Sequence, residues 1–476
     1  MVALTVQAME AIRRRIASRA LTAGDRLPSI RSFAAEMGIS PSTVVEAYDR
    51  LAADGVIHAR RGSGFYVSTA TQPMTLADIG PKLEREVDPL WVSRQSLDTG
   101  PGAAKPGCGW LPADWLPAGA LRRAVRSLAR AEESTLFDYG SARGSFALRR
   151  LLARQFAVEG LEVPPDQILL TGSGTQAIDL ICRLLITPGD SVLVDDPCYF
   201  NFRALLRAHR AVVVGVPATP TGPDVEAFAA AVERSRPRLY ITNSAIHNPT
   251  TATLSPQKAH RILTVAARHD MVIVEDDIFA DFEPEPSVRL AVLDGLSQVI
   301  RVGSFSKTLS ASIRCGYIAA RPDWIEALID LQIATNFGAV SPFAAELIFN
   351  VLSDGGYRKQ MDGLRRRLAR ARRETAARLG RLGMVPWLMP RGGFYLWCAM
   401  PPGRDASDLA RTAIADSVVL APGNVFSVSQ NADGFMRFNV AQMGDERVFD
   451  VLEQALRSPL ANGSAGAADA GPRQPG

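Results

Sequence analysis

A lysine set between two apolar runs constrains this chain more than any other feature. Val299-Ile300-Arg301-Val302 has the composition of a buried strand, and Gly316-Tyr317-Ile318-Ala319-Ala320 that of a second one. Between them lies Gly303-Ser304-Phe305-Ser306-Lys307. Of 53 basic residues only five are lysines, so arginine carries nearly all the positive charge and a lysine at this position has a separate use. A desolvated lysine loses its proton and attacks a carbonyl carbon to form a Schiff base, which an arginine cannot do. Ser304 and Arg314 flank Lys307 with a hydroxyl and a fixed cation, a pair suited to a phosphate.

Two plainer accounts compete. A lone lysine is more often a surface cation with a buried stem. Ser304-x-x-Lys307 also fits the S-x-x-K of penicillin-recognising enzymes, but the K-T-G triplet that chemistry requires is absent from the sequence.

The chain's 476 residues exceed one small core and predict two or more domains. Apolar residues make up 47% and charged residues 21%, a globular balance, and no apolar run reaches the length of about 18 residues that spans a bilayer. Met1–Ser18 reads as an amphipathic helix with its charges inside the segment, not as a signal peptide. Five scattered cysteines without C-x-x-C spacing fit a reducing cytoplasm, and five histidines without a ligand cluster predict no metal site. Residues 1–70 hold nine arginines against six acids, which accounts for +3 of the chain's net +4 and suggests a polyanion partner there.

Along residues 1–70, helical spacing of Val6, Met9, Ile12 and Ile16 is followed by two further short helices. Ser29 caps the second, and Ser40-Pro41 supplies a cap and first-turn proline for the third. Residues 56–60 and 64–67 alternate as two strands joined by Arg61-Gly62-Ser63. Three helices and a basic hairpin describe a winged helix-turn-helix, with a small helical interaction module as the bland alternative. Residues 71–97 lack sustained periodicity and read as a linker with a short helix within 76–87 and with Trp91 docked on the second domain. Residues 98–457 form that large second domain, and the apolar-poor 458–476 is a disordered tail.

In the second domain, Ile168-Leu169-Leu170-Thr171 runs into Gly172-Ser173-Gly174-Thr175, a glycine-rich turn opening a helix, where backbone N–H groups meet an anion. Short apolar runs at 192–194, 212–214, 239–241 and 272–274 alternate with helical stretches. They predict an α/β domain built on a mainly parallel sheet, with sites at strand C-termini. A smaller α+β lobe contains residues 390–397 and 436–439.

Phe305-Ser306-Lys307-Thr308-Leu309, followed by Arg314-Cys315-Gly316-Tyr317, resembles the lysine motif of fold-type I pyridoxal 5'-phosphate (PLP) enzymes, the aspartate aminotransferase superfamily. G-D-R-L-P-S-x-R, S-x-S-T-V-x-x-A-Y-x-x-L and G-S-G-x-x-V, over residues 24–67, resemble GntR-type DNA readers. Together, across about residues 5–457, the chain is similar to the MocR (GabR-like) regulators, in which a winged helix-turn-helix is fused to an aminotransferase-like domain.

The resemblance implies roles residue by residue. Lys307 would carry PLP as an aldimine. Ser173, Gly174, Thr175, Ser304 and Arg314 would hold its phosphate, with Tyr139 lent by a neighbouring subunit of a homodimer. Tyr199 would stack on the ring, Asn248 bond its 3′-oxygen and Asp276 pair with its nitrogen, while Arg437 would grip a ligand carboxylate. Arg31, Ser42, Thr43, Arg61 and Gly62 would meet an operator in double-stranded DNA. Three departures stand out: Pro41 where a basic or polar residue is common, Thr251 for the glycine of N-P-T-G, and Ile278-Phe279 where a tyrosine usually bonds the 3′-oxygen. The expected function is a PLP-dependent transcription regulator sensing an amino acid, an amine or PLP itself; the alternative is a working aminotransferase with an appended DNA module.

Overall fold

Two serines set the N-terminal unit in register. Each lies in extended backbone one residue before a helix and accepts a backbone N–H three residues on: Ser29 from Ser32 ahead of Ile30–Met37, and Ser40 from Thr43 ahead of Pro41–Ala53. In the computed structural model, residues 4–17, 21, 24–60, 63–67, 89–100, 102–338 and 340–457 are described. They belong to two compact units, divided between residues 85 and 86.

The first unit packs Leu4–Ala17 and the two capped helices around Ile12, Phe33, Val44, Tyr48 and Leu51, all essentially sealed from solvent. Burial of one such large apolar side chain contributes roughly 1.5–3 kcal/mol. Strands β1 (Ile57–Arg60) and β2 (Gly64–Val67) pair antiparallel, Ile57 opposite Val67, and place both of those side chains in the same core. The winged helix-turn-helix expected from the sequence is therefore present. Arg61 and Gly62 at the wing tip lie outside the described residues, as do 76–87 and the tail 458–476.

One boundary needs correction. The linker expected through residue 97 cannot extend that far, because Pro89–Asp98 is a helix of the second unit. Trp91 and Val92 are buried there with Phe200, Trp397 and Phe426, so Trp91 does dock as expected.

The second unit is built on a sheet of β3 (Ile168–Thr171), β4 (Ser191–Asp196), β5 (Val212–Thr219), β6 (Gly222–Pro223), β7 (Leu239–Thr242), β8 (Val272–Asp276), β9 (Val299–Ser304) and β10 (Gly316–Ala319). The spatial order is β3-β10-β9-β8-β7-β4-β5-β6. Strands β5, β4, β7, β8 and β9 run parallel, while β10 is antiparallel to both β9 and β3. Helices cover both faces and give two separate cores, one containing Leu170, Ile273 and Val299, the other Leu169, Val274 and Ile300. Alternate residues of one strand feed opposite cores because successive strand side chains point to opposite faces.

The smaller lobe carries β11 (Val385–Pro386), β12 (Tyr395–Ala399), β13 (Ala421–Pro422) and β14 (Phe435–Asn439) in the order β11-β12-β14-β13, backed by the long helix Gly356–Arg381. Strands β12 and β14 are antiparallel, with Trp397 opposite Arg437.

Candidate functional site

Residues from five segments far apart in sequence converge on one cavity at the C-terminal ends of the parallel strands. Its lining includes Ser173, Gly174, Thr175, Tyr199, Asn248, Asp276, Lys307 and Arg314, eight of the positions singled out by sequence.

The anion end is built by a close approach of backbone. Ser173 caps the helix Gly174–Leu185 through its Oγ, which accepts from Gln176 N, leaving the first-turn N–H groups at the cavity. Gly316 of β10 lies directly beneath. A Cβ there would fall 2.8 Å from the Ser173 carbonyl carbon and 2.9 Å from Gly174 N, so no side chain fits. Arg314 stands in left-handed backbone, φ +56°, and also lines the cavity.

Ser304 departs from its expected place. Its Oγ donates to the Cys315 carbonyl at 3.1 Å, tying β9 to β10, and the serine that lines the cavity is Ser306. Ser306 N donates to Ser304 Oγ at 3.3 Å, so the first serine positions the second.

Lys307 follows the end of β9 and donates from Nζ to the Gly109 carbonyl at 2.6 Å. Burial pushes its pKa down to about 8, helped by the nearby cations Arg437 and Arg314 and opposed by Cys108 and Asp276. The amine is therefore partly neutral near neutrality, the state required for attack on a carbonyl.

Asp276 ends β8, where strand alternation separates three consecutive acids. Glu275 faces inward, accepts from Leu290 N and Ala291 N at 2.8 Å, and caps a short helix. Asp277 pairs with Arg289 at 2.7 Å and Arg301 at 2.6 Å in a buried network. Asp276 alone lines the cavity, accepting from Ile278 N at 3.2 Å. Burial pushes its carboxyl up to about 7. A cationic ring N–H would give this carboxylate the partner it needs to ionise, and a phosphate would satisfy the helix N-terminus and Arg314. The residues present thus fit a phosphorylated, protonated pyridine.

Asn248 precedes a cis proline, Pro249, and its Oδ1 accepts from Arg437 Nη1 at 2.8 Å. Arg437, on β14, is 1% exposed and lies behind the cavity wall rather than open to it. Its Nη2 donates to the Gly107 carbonyl at 2.7 Å, the ring centres of Tyr395 and Phe426 lie 4.3 and 4.7 Å from its guanidinium carbon, and its Nε has no hydrogen-bond partner among the described residues. A buried guanidinium N–H without an acceptor is costly unless a ligand supplies one.

Ile278 and Phe279 do line the cavity, making that wall apolar, with Phe279 edge-on to Phe394 and Tyr395. Thr251 adopts φ +63°, the glycine-favouring region, while 1% exposed, and its Oγ1 donates to the Thr250 carbonyl at 2.6 Å. The backbone thus keeps a glycine conformation after the glycine itself is gone. Tyr139 is absent from the cavity: it is 75% exposed and packs edge-on to Phe337, which is 68% exposed.

Sequence reasoning missed Trp110, Asn243, Ser306 and Tyr395, which also line the cavity. Asn243 Nδ2 donates to the Asp276 carbonyl at 2.9 Å, and the Tyr395 ring separates the cavity from Arg437. Ser306 adjoins Lys307, and Tyr395 stands in an aromatic strand, signals that were visible in the sequence.

In the N-terminal unit, Arg31 and Ser42 are exposed near the starts of the second and third helices. Thr43 is half-buried, and its hydroxyl and that of Ser42 each lie 2.8 Å from Ser40 Oγ. The exposed start of a capped third helix is the part such a motif presents to base edges. No helix among the described residues is long and apolar enough to cross a membrane.

Comparison with known proteins agrees with this layout. Residues 113–454 match aminotransferase class I and II, and residues 4–67 match the gntR family of bacterial regulatory proteins. The uncharacterized HTH-type transcriptional regulator YdcR of Escherichia coli is 29% identical, over 94% of this chain and 97% of its own. NorG, an HTH-type transcriptional regulator of Staphylococcus aureus, is 24% identical over 90% of this chain and 98% of its own. Among solved structures, the α-aminoadipate aminotransferase LysN of Thermus thermophilus, complexed with N-(5'-phosphopyridoxyl)-L-leucine, superposes with TM-score 0.70. It is 24% identical and covers 77% of this chain and 93% of its own. The chain belongs to the aminotransferase class I and II family and carries a GntR-type DNA-binding domain at its N-terminus, the two-part make-up of the MocR-like transcription regulators.

Proposed function

We propose that the second unit of this DNA-binding regulator holds PLP at Lys307 and uses it to sense an amino acid or amine, or PLP itself. The observation that carries this is the convergence on one cavity of Lys307, Asp276, Asn248, Tyr199, Arg314 and the Ser173–Thr175 turn. Bound PLP supplies an electron-withdrawing ring and an aldehyde that amines condense with.

Each residue then has a physical task. The Ser173–Thr175 turn, Ser306 and Arg314 bind the phosphate, with helix dipole and guanidinium acting together. Tyr199, flanked by Phe200 and Phe202, covers the ring and excludes water. Asp276 keeps a proton on the ring nitrogen, and Asn248 orients the ring through its oxygen substituent. Lys307 Nζ is the amine of attachment; once a ligand displaces it, the same nitrogen can take or return a proton. Arg437, behind the Tyr395 ring, would offer its unpartnered Nε to a ligand carboxylate when that ring swings aside. An exposed Tyr139 beside an exposed Phe337 suits a role in a partner subunit's site within a homodimer.

The regulatory output requires that the ligand bind two states of the protein with different affinity. The test is an absorption titration of the purified protein with amino acids and amines, with and without a 2-oxo acid. A band that shifts once and holds supports the sensor, and Lys307→Ala should abolish both cofactor attachment and the shift. Cycling, with a new amino acid formed in excess of enzyme, makes the chain a working aminotransferase. That second reading draws on the Arg437–Asn248 arrangement, which suits a carboxylate substrate as well as an effector.

A further inference from the structure

The most basic helix among the described residues is not in the DNA-binding unit. Helix Gly356–Arg381 carries nine arginines and one lysine against Asp362 and Glu374, a net +8 in a chain whose total is +4. The rest of the chain is therefore net acidic, and the charge on this helix is not part of a general basicity.

Its distribution is ordered. The inward face buries Met361, Leu364, Leu368, Arg372, Thr375 and Leu379. Lys359, Arg366, Arg370, Arg373 and Arg381 recur at intervals of seven, four, three and eight residues, which at 100° per residue puts all five within about 40° of one line along the opposite face. All but Arg370, which pairs with Glu374 at 2.7 Å, make no hydrogen bond or ion pair with any described residue, and all are exposed. From Lys359 to Arg381 the row extends about 33 Å at 1.5 Å per residue. That is close to one turn of B-form DNA, roughly 34 Å. A solvated helix face normally alternates its charges for i, i+4 pairing. Here four of five cations lack that partner, although the opposed acids would cost nothing in packing.

We propose that this row is a second DNA-contacting surface, which grips the phosphate backbone of duplex DNA without reading its sequence. Arginine's planar fork suits phosphate oxygens, and a straight row of this length can reach phosphates where the two backbones cross one face of the duplex over about a helical turn. Its contribution is affinity and a longer bound segment, while sequence is read by the N-terminal unit.

The test uses the full chain and a fluorescein-labelled duplex of 60 base pairs and mixed sequence, with binding followed by anisotropy over a range of salt concentrations. The variant is Arg366→Gln/Arg373→Gln/Arg381→Gln, and the control is Arg122→Gln/Arg126→Gln/Arg130→Gln, which removes equal charge from exposed positions on another helix and the turn after it. Each lost phosphate contact lowers the slope of log K against log salt by about 0.9, so the variant should lose about 2.7 from its slope and roughly 2.7 orders of magnitude in affinity at 0.1 M salt. The control should keep the wild-type slope. An unchanged slope in the variant overturns the proposal, and an equal fall in the control reduces it to net charge. Cofactor absorption and an unchanged melting curve verify that the variant is folded. Failure of the wild-type chain to bind any duplex would instead strike at DNA binding itself, so the two failures are distinguishable.

Discussion

Arg437 and Asn248 are joined through an Nη1 to Oδ1 hydrogen bond of 2.8 Å, linking the residue proposed to take a ligand carboxylate to the one proposed to orient the ring. Neither can be altered without disturbing the other. Asn248→Ala should lower stability by about 1.5–3 kcal/mol, the cost of removing a hydrogen bond to a buried charged group, as read by urea denaturation. Arg437→Gln should weaken the absorption response to amino acids while sparing that to the corresponding decarboxylated amines. Equal loss for both ligand classes would rule out carboxylate recognition by this arginine.

Thr251 is a β-branched residue held at φ +63° in the interior. Left-handed backbone costs such a residue on the order of 1–3 kcal/mol. Thr251→Gly should therefore raise the unfolding free energy by about 1 kcal/mol after loss of its 2.6 Å hydrogen bond to the Thr250 carbonyl is counted. Thr251→Val keeps the strain and loses the bond, and should destabilise. Paired urea titrations of the two variants check the signs.

Asp276 gives a pH signature in the PLP-free protein. Its carboxyl is pushed up to about 7 from 3.8 by burial, so the folded chain holds a proton that the unfolded chain has released across that window. Its contribution to stability is complete below about pH 4 and is lost as pH rises through about 7. Asp276→Asn should remove that part of the decline. The comparison is urea midpoints of both proteins between pH 4.5 and 7.5, and parallel curves would refute it.

Ser40 holds the start of the third N-terminal helix and the hydroxyls of Ser42 and Thr43 together. Ser40→Ala should cost about 1 kcal/mol in stability as a lost helix cap. Ser42→Ala, at an exposed first-turn position, should leave the melting temperature nearly unchanged and weaken DNA binding. Thermal melts and anisotropy on the same preparations separate the two effects.

Much of this site was legible because strand ends declare themselves. Lys307, Asp276 and the Ser173–Thr175 turn each follow a short apolar run, and such ends are where a parallel sheet places its ligands. What the sequence could not supply was orientation. Ser304 and Ser306 are equally plausible by spacing, and the antiparallel hairpin of β9 and β10 decides between them by offering the Cys315 carbonyl to the first. Arg437 is singled out by its place in an aromatic strand, but its withdrawal behind Tyr395 depends on contacts with Gly107 and Asn248, more than 180 residues distant in the chain. The helix Pro89–Asp98 was missed because its buried residues are matched to Phe200, Trp397 and Phe426, not to a repeat within ten residues.

The contact of Gly316 with the Ser173–Gly174 backbone has a mechanical consequence. With no side chain to act as a cushion, the phosphate turn and the β10 strand are pressed into one stiff plate, continuous through hydrogen bonds with β9 and the segment that carries Lys307. A plate so closely packed resists flexing. Movement must be taken up by the opposite wall, where Tyr395 and the arginine behind it are borne on a separate sheet. On the proposed reading, the site would act as an anvil with a movable jaw, and a ligand's effect would pass out through the jaw.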